Sequence, residues 1–455
     1  MTEMHIDGIY DLSTIWKFAE EVFPYFKERM LDWDVVYKEY LSRIFCINSE
    51  KELHLLLAEF VNLLGDGHTD YRFPEKLIAE SGVLPFRLVF REGRWFIGET
   101  VEELKELLGT EILEINGTRV QDIIKQCFRY IYHVGDYASP ESVERILPFF
   151  LKKSANWILT PLGMLSFNLE EENPSMISFK RDKKDRGEEG SDNFYHCCGT
   201  KLEMRIYPKI LYARIDNFLN FDAAQEIFSA LSQGTSNADK TFAGVIFDLR
   251  NNIGGMTAYA AKVAELFIPG EFHAYQKKIR QISGVDLASA SQYLRMSEKK
   301  IEKLIRDGLC EPEEVKRCFE MAKNQYYFTY VDSFGAPGQK AFYNGSVIIL
   351  TSRGTISAAE DFTAMFKSTK RAILMGTPTL GTTGTPLIKR LRLGGFLRIC
   401  SVGHRLFDGT EFIGKGILPD LLVEETGEDY LCGKDTVLEK ALEYLSEEKI
   451  KEGQK

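Results

Sequence analysis

The stretch Val347-Ile348-Ile349-Leu350-Thr351-Ser352-Arg353-Gly354-Thr355-Ile356-Ser357-Ala358-Ala359-Glu360-Asp361-Phe362 decides the fold. An apolar run of strand length enters a polar, glycine-containing turn, and a serine stands where a helix begins at Ala358. A strand feeding a helix through a short turn is one step of an α/β layer structure. Helix N-terminal amides carry partial positive charge, which stabilises an alkoxide or a developing oxyanion, so Ser357 is a candidate nucleophile. The same position also suits an N-cap serine whose role is structural.

A second segment has the same form. In Phe247-Asp248-Leu249-Arg250-Asn251-Asn252-Ile253-Gly254-Gly255, the buried-type run Val245 to Leu249 ends in a polar loop. A helix follows, with Met256, Tyr259, Ala260, Val263 and Phe267 on one face. Paired glycines let the backbone approach a ligand and offer amides without side-chain obstruction. An amide of Gly254 or Gly255, with that of Ala358, would make a two-donor oxyanion hole. The loop lacks the spacing of either phosphate-binding glycine pattern.

The rest of the chain divides by periodicity. Residues 1 to about 75 read as helical, with Ile15, Phe18, Val22 and Phe23, and then Leu53, Leu56, Leu57, Phe60, Val61 and Leu64, at helical spacing. The second series runs into Gly65-Asp66-Gly67-His68-Thr69, which puts His68 on a tight loop just past a helix. Residues 76–165 begin with the short β-like runs Phe86 to Phe90 and Trp95 to Ile97. Then comes Ile112-Leu113-Glu114-Ile115-Asn116-Gly117-Thr118-Arg119-Val120, a strand, an Asn-Gly turn and a helix start. Residues 124 to 163 read as helical, and Glu170 to Asn193 as a polar surface loop. From about 166 to 446 strands and helices alternate: Ile210 to Ile215, helix Asp222 to Leu231, Ala372 to Met375, Phe396 to Val402, and a last helix with Val437, Leu438, Ala441, Leu442 and Leu445. Charged helices at about 285–325 interrupt the rhythm as an insertion, either a lid or a solvated excursion.

Three motifs together resemble the C-terminal-processing (tail-specific) peptidase family. They are Asp248-Leu249-Arg250-Asn251-Asn252 with Gly254-Gly255, Thr351-Ser352 through Thr355 and Ser357-Ala358-Ala359-Glu360, and Gly414-Lys415-Gly416-Ile417-Leu418-Pro419-Asp420. The resemblance implies an α/β, crotonase-like catalytic core, a PDZ-like segment at the Asn116-Gly117 turn, and Ser357, three residues before Glu360, as nucleophile. The Ser-Lys branch of that family carries a lysine base where this chain has Thr382. A threonine cannot take the serine proton near neutral pH. The tricorn-core-like branch takes a histidine from upstream, and Asp66-Gly67-His68-Thr69 resembles the stretch that supplies it. An ordinary imidazole, with a pKa of ~6.5, suits a general base. That branch also uses a glutamate near the closing motif. Glu411 is the candidate, two places earlier than the pattern, with Ile413 at the matching position. Asp66 and Asp70 are alternative carboxylates, and His404 reads as structural.

Composition limits the other choices. The chain has 455 residues and a net charge of -10, so no clustered positive surface for nucleic acid is expected. No run approaches the ~18 apolar residues of a membrane span. The start Met1 to Asp7 lacks a signal-peptide pattern, and the expectation is a cytoplasmic protein. The 8 cysteines are scattered, and adjacent Cys197-Cys198 is a poor metal site, so no metal and no cofactor are expected. The expected function is a serine peptidase acting on a peptide or protein substrate, with no inference about oligomeric state. The rivals are a non-catalytic peptide-binding protein that retains the fold and a small ester or amide hydrolase.

Overall fold

The computed structural model describes residues 2–170, 180–181, 202–219, 222–235, 242–280, 296–309, 311–313, 315 and 327–452. Cys197-Cys198, most of the Glu170 to Asn193 run and much of the 285–325 insertion lie outside the described residues. The chain forms two compact units. One comprises residues 1–74, 276–331 and 384–404, the other 75–275, 332–383 and 405–455.

The larger unit is built on a six-stranded sheet. Its spatial order is Leu421–Leu422, Ile373–Gly376, Ser346–Thr351, Gly244–Asp248, Ile210–Ile215, Leu202–Tyr207. Neighbours are parallel except for the last pair. Parallel strands need cover on both faces, and the residues alternate accordingly. Val245, Phe247, Val347 and Ile349 enter one core with Phe362, Met365 and Phe366 of helix Ala358–Thr369. Ile246, Ile348 and Leu350 enter the other, against Val437, Leu438, Ala441 and Leu445 of helix Thr436–Glu452. Phe247 meets Phe362 edge-on with ring centroids 5.3 Å apart. Burying each such ring contributes ~1.5–3 kcal/mol, so both strand–loop–helix segments are anchored at their apolar ends.

The α/β alternation expected for this part is present. The Asn-Gly turn is also present: Asn116 and Gly117 have φ of 50° and 79° between Glu114–Ile115 and Thr118–Arg119, and helix Val120–Cys127 follows. The helical reading of 124 to 163 needs correction. Helix Pro140–Ile146 ends well short of 163, and Asn156–Thr160 pairs with Gly163–Phe167 as a hairpin. Asn156–Thr160 also adds to the Glu114–Ile115 strand, a tertiary pairing that local periodicity does not encode.

The smaller unit begins with helices Glu3–Val22, Phe26–Arg29, Trp33–Ile44 and Glu50–Asn62. Thr2, Asp32 and Ser49 cap three of them by accepting an amide hydrogen bond. The predicted apolar series of the fourth, Leu53 through Leu64, is buried. Strand Asp70–Arg72 then pairs with Phe396–Cys400, which pairs with Pro386–Arg390. The single strand read from Phe396 to Val402 breaks at Ser401, and Val402–Leu406 is a separate strand.

Candidate active site

Ser357 sits at the N-terminus of the twelve-residue helix Ala358–Thr369, with φ 59° and ψ −125°. For a residue with a Cβ this backbone region costs on the order of 1–3 kcal/mol, so the surrounding loops must hold it. The motif hydroxyls do so. Thr355 Oγ1 donates to the Leu249 carbonyl at 2.8 Å, and Ser352 Oγ donates to the Arg250 carbonyl. The Ile356 amide donates to the Asn252 carbonyl at 2.9 Å. Arg250 is fixed in turn by bidentate pairs with Asp248 and Asp435. Burial opposes charge on Asp248, but Arg250 holds its pKa down to about 2. The two motif loops are thus one hydrogen-bonded body.

Gly254 and Gly255 have φ of 98° and 143°, where a Cβ is strained. Their amides differ. The Gly254 N–H donates to Asn252 Oδ1 at 2.8 Å, so it is engaged within its own loop. The amides of Gly255 and Ala358 make no hydrogen bond within the described structure. Of the three residues named for the oxyanion hole, Gly254 therefore shapes the loop, and Gly255 and Ala358 offer donors.

Glu360, one turn into the helix, is fully buried. It accepts from Thr379 Oγ1 at 2.5 Å and from the Gly381 and Thr382 amides at 2.8 Å each. Burial pushes its pKa up to about 8 against those donors. Thr382, at the position of the absent lysine, is fully buried, and its carbonyl accepts the Ser357 amide at 3.1 Å. The closing motif supports the same loop: Gly414 donates to the Gly381 carbonyl, and Ile417 donates to Thr379 Oγ1 at 2.7 Å. Spacing alone did not show this support. A Ser-x-x-Glu capping pattern at 357–360 was the available signal. Glu411 lies outside that support, exposed and ion-paired with Arg405.

In the smaller unit, His68 occupies the turn between helix Glu50–Asn62 and strand Asp70–Arg72. It is buried, at 5% exposure. Its amide donates to Asp66 Oδ2 at 3.1 Å, which also accepts from Thr69 Oγ1 at 2.8 Å. Arg398 donates to the Gly67 carbonyl and to Asp70, so Asp70 is taken by an ion pair. Burial, reinforced by Arg398 and opposed by Asp70, lowers the His68 pKa to about 3, and the imidazole is neutral at working pH. His404 is buried as well. The Val402 carbonyl, 3.0 Å from Nδ1, fixes the proton on that nitrogen. Among the described residues no cluster of His, Cys, Asp or Glu would hold a metal, and no helix is long and apolar enough to cross a membrane.

Residues 209–423 match the peptidase family S41 model, and residues 10–62 match that of the tricorn protease C1 domain. No curated protein matches the chain. Among solved structures it is similar to mature CPAF complexed with lactacystin, with a TM-score of 0.71 and 15% identity over 98% of each chain. A second structure of mature CPAF gives 0.68 at 14% identity, over 98% of this chain and 96% of that one. At such identities the likeness is one of fold. The S41 match spans all three motif loops around Ser357, so residues 209–423 carry a peptidase family S41 region and the chain is a serine-type peptidase.

Proposed function

We propose that the chain cleaves peptide bonds with Ser357 as nucleophile and His68 as general base. The observation that carries this reading is the positive-φ Ser357 at a helix N-terminus, apposed to a glycine loop. Ser357 Oγ attacks the scissile carbonyl and its proton passes to His68. The Gly255 and Ala358 amides receive the oxyanion, and the imidazolium then protonates the leaving amine. Water repeats the sequence to release the acyl group. Burial keeps His68 neutral, the form that can accept a proton, while a pKa of about 3 makes it a weaker base than an ordinary imidazole. Glu411 is the proposed orienter of the histidine.

In this reading the six-stranded core is of the crotonase-like type, and the Asn116-Gly117 hairpin with its following helix is PDZ-like, with an open sheet edge for an extended peptide. The experiment is fluorophosphonate labelling and peptide digestion by the full chain. Labelling on Ser357, with both labelling and cleavage lost in Ser357→Ala, is expected. Cleavage retained in that variant would overturn the nucleophile assignment.

A further inference from the structure

Three large apolar side chains stand exposed around the glycine loop that touches the nucleophile. Leu219 is 62% exposed, Ile253 55% and Met256 55%. A single exposed aliphatic residue needs no explanation, but a cluster does. The backbone places these three together. The Phe218 amide donates to the Gly254 carbonyl at 2.8 Å and the Met256 amide to the Phe218 carbonyl at 2.7 Å, so Phe218 is stitched along Gly254–Met256. A Cβ on Gly255 would lie 2.3 Å from the Phe218 oxygen, which shows how close that pairing is. Leu219 follows this stitch, and Ile253 and Met256 flank the two glycines. A Cβ on Gly254 would in turn lie 2.6 Å from the Ser357 Cβ. The patch therefore begins within two residues of the backbone that contacts the nucleophile.

Periodicity sets Met256 on one face of the following helix, with Ala260 and Val263. Instead Met256 is the residue before helix Thr257–Ala264, and its side chain is left to solvent while Ala260 and Val263 enter the core. Folding gains nothing from exposing three such residues on one loop pair, whereas a substrate side chain covering them would gain about 25 cal/mol per Å² of apolar surface.

We propose that Leu219, Ile253 and Met256 form an apolar subsite that receives a large aliphatic or aromatic substrate side chain beside the carbonyl attacked by Ser357. This rests on the peptidase reading above and adds the substrate class. A flexible methionine at the edge lets the subsite accept several apolar shapes. One pocket contact of methylene size is worth roughly 10–200-fold in selectivity.

The test is a peptide series, identical except for Leu, Phe, Ala, Asp or Lys at each position flanking the cleaved bond, digested by the full chain. At one flanking position kcat/KM for Leu or Phe should exceed that for Asp or Lys at least about tenfold. Met256→Glu should invert this order toward Lys, a gain that misfolding cannot produce. Leu219→Ser should bring the Leu-to-Ala ratio toward unity. Fluorophosphonate labelling is read on every variant. Cleavage and labelling intact, with the preference unchanged in both variants, would overturn the subsite alone. A changed sedimentation coefficient with unchanged preference would also overturn it, by making the patch a surface for a second copy. Wild type that neither labels nor cleaves would overturn the peptidase reading, and the subsite with it.

Discussion

Gly254 packs directly on Ser357: a Cβ placed on the glycine would lie 2.6 Å from the serine Cβ, 2.8 Å from the Ile356 oxygen and 2.9 Å from the Ala358 nitrogen. Two of those three neighbours are backbone, which cannot swing aside as a flexible side chain does. Gly254→Ala should therefore displace the Ala358 amide and lower kcat by roughly a hundredfold or more, as loss of an oxyanion donor does. Positive φ adds a stability cost of about 1–3 kcal/mol. Steady-state kinetics with a melting curve checks both. An unchanged kcat would mean that the Ala358 amide does not carry oxyanion charge.

Thr382→Lys tests whether restoring the lysine of the Ser-Lys branch restores its chemistry. Thr382 is fully buried, its amide is held by Glu360 and its carbonyl by the Ser357 amide. A buried ammonium costs several kcal/mol unless it is paired or deprotonated. The variant should melt lower than wild type and should gain no activity in His68→Ala. Rescue of His68→Ala by Thr382→Lys would place the base on this loop.

The legible parts of the fold are those where one physical rule acts alone. Val245 to Leu249 and Val347 to Leu350 read as strands because burial on both faces makes them continuously apolar. Asn116-Gly117 reads as a turn because both residues tolerate positive φ. Pro386–Arg390 was missed because four of its five residues are exposed, which leaves no alternation to read. Ser357 and His68 were visible as polar residues at element ends. The engagement of the Gly254 amide by Asn252 was not, because spacing cannot tell which of two adjacent amides a side chain will claim. The burial of His68 was hidden as well, since a Gly-Asp-Gly-His-Thr turn looks solvated.

That burial changes the expected pH profile. An ordinary imidazole predicts a rate rising through an apparent pKa of about 6 to 7. With burial holding His68 near 3, beside Asp66, Asp70, Arg398 and His404, its imidazole is already neutral throughout that range. The acid limb of kcat/KM should lie well below pH 6. The same shift enters stability. The unfolded chain binds this proton near pH 6.5 and the folded chain only near 3, so lowering the pH through that window removes stability, about 1.4 kcal/mol per pH unit for this one group. The melting gap between wild type and His68→Gln should narrow as pH falls from 7 toward 4. A limb at 6 to 7 would mean that the imidazole is hydrated in the working enzyme.

The orienting carboxylate is decided by setting Glu411→Gln against Asp66→Asn. Glu411 is exposed and ion-paired with Arg405, itself exposed, so neutralising it should leave stability within about 0.5 kcal/mol. Any loss of rate in Glu411→Gln is then a catalytic effect. If Glu411 orients His68, kcat should fall roughly ten- to a thousandfold without vanishing, because the histidine keeps its basic nitrogen and loses alignment and charge support. Asp66 is buried and accepts from the His68 amide and the Thr69 hydroxyl. Both donors meet Oδ2, which the asparagine oxygen can replace, so Asp66→Asn should leave the turn folded and remove chiefly the charge. Measuring kcat and melting temperature on both variants separates the two roles. A silent Glu411→Gln, beside an Asp66→Asn whose rate loss persists well below its melting temperature, would move the orienter to the His68 turn itself.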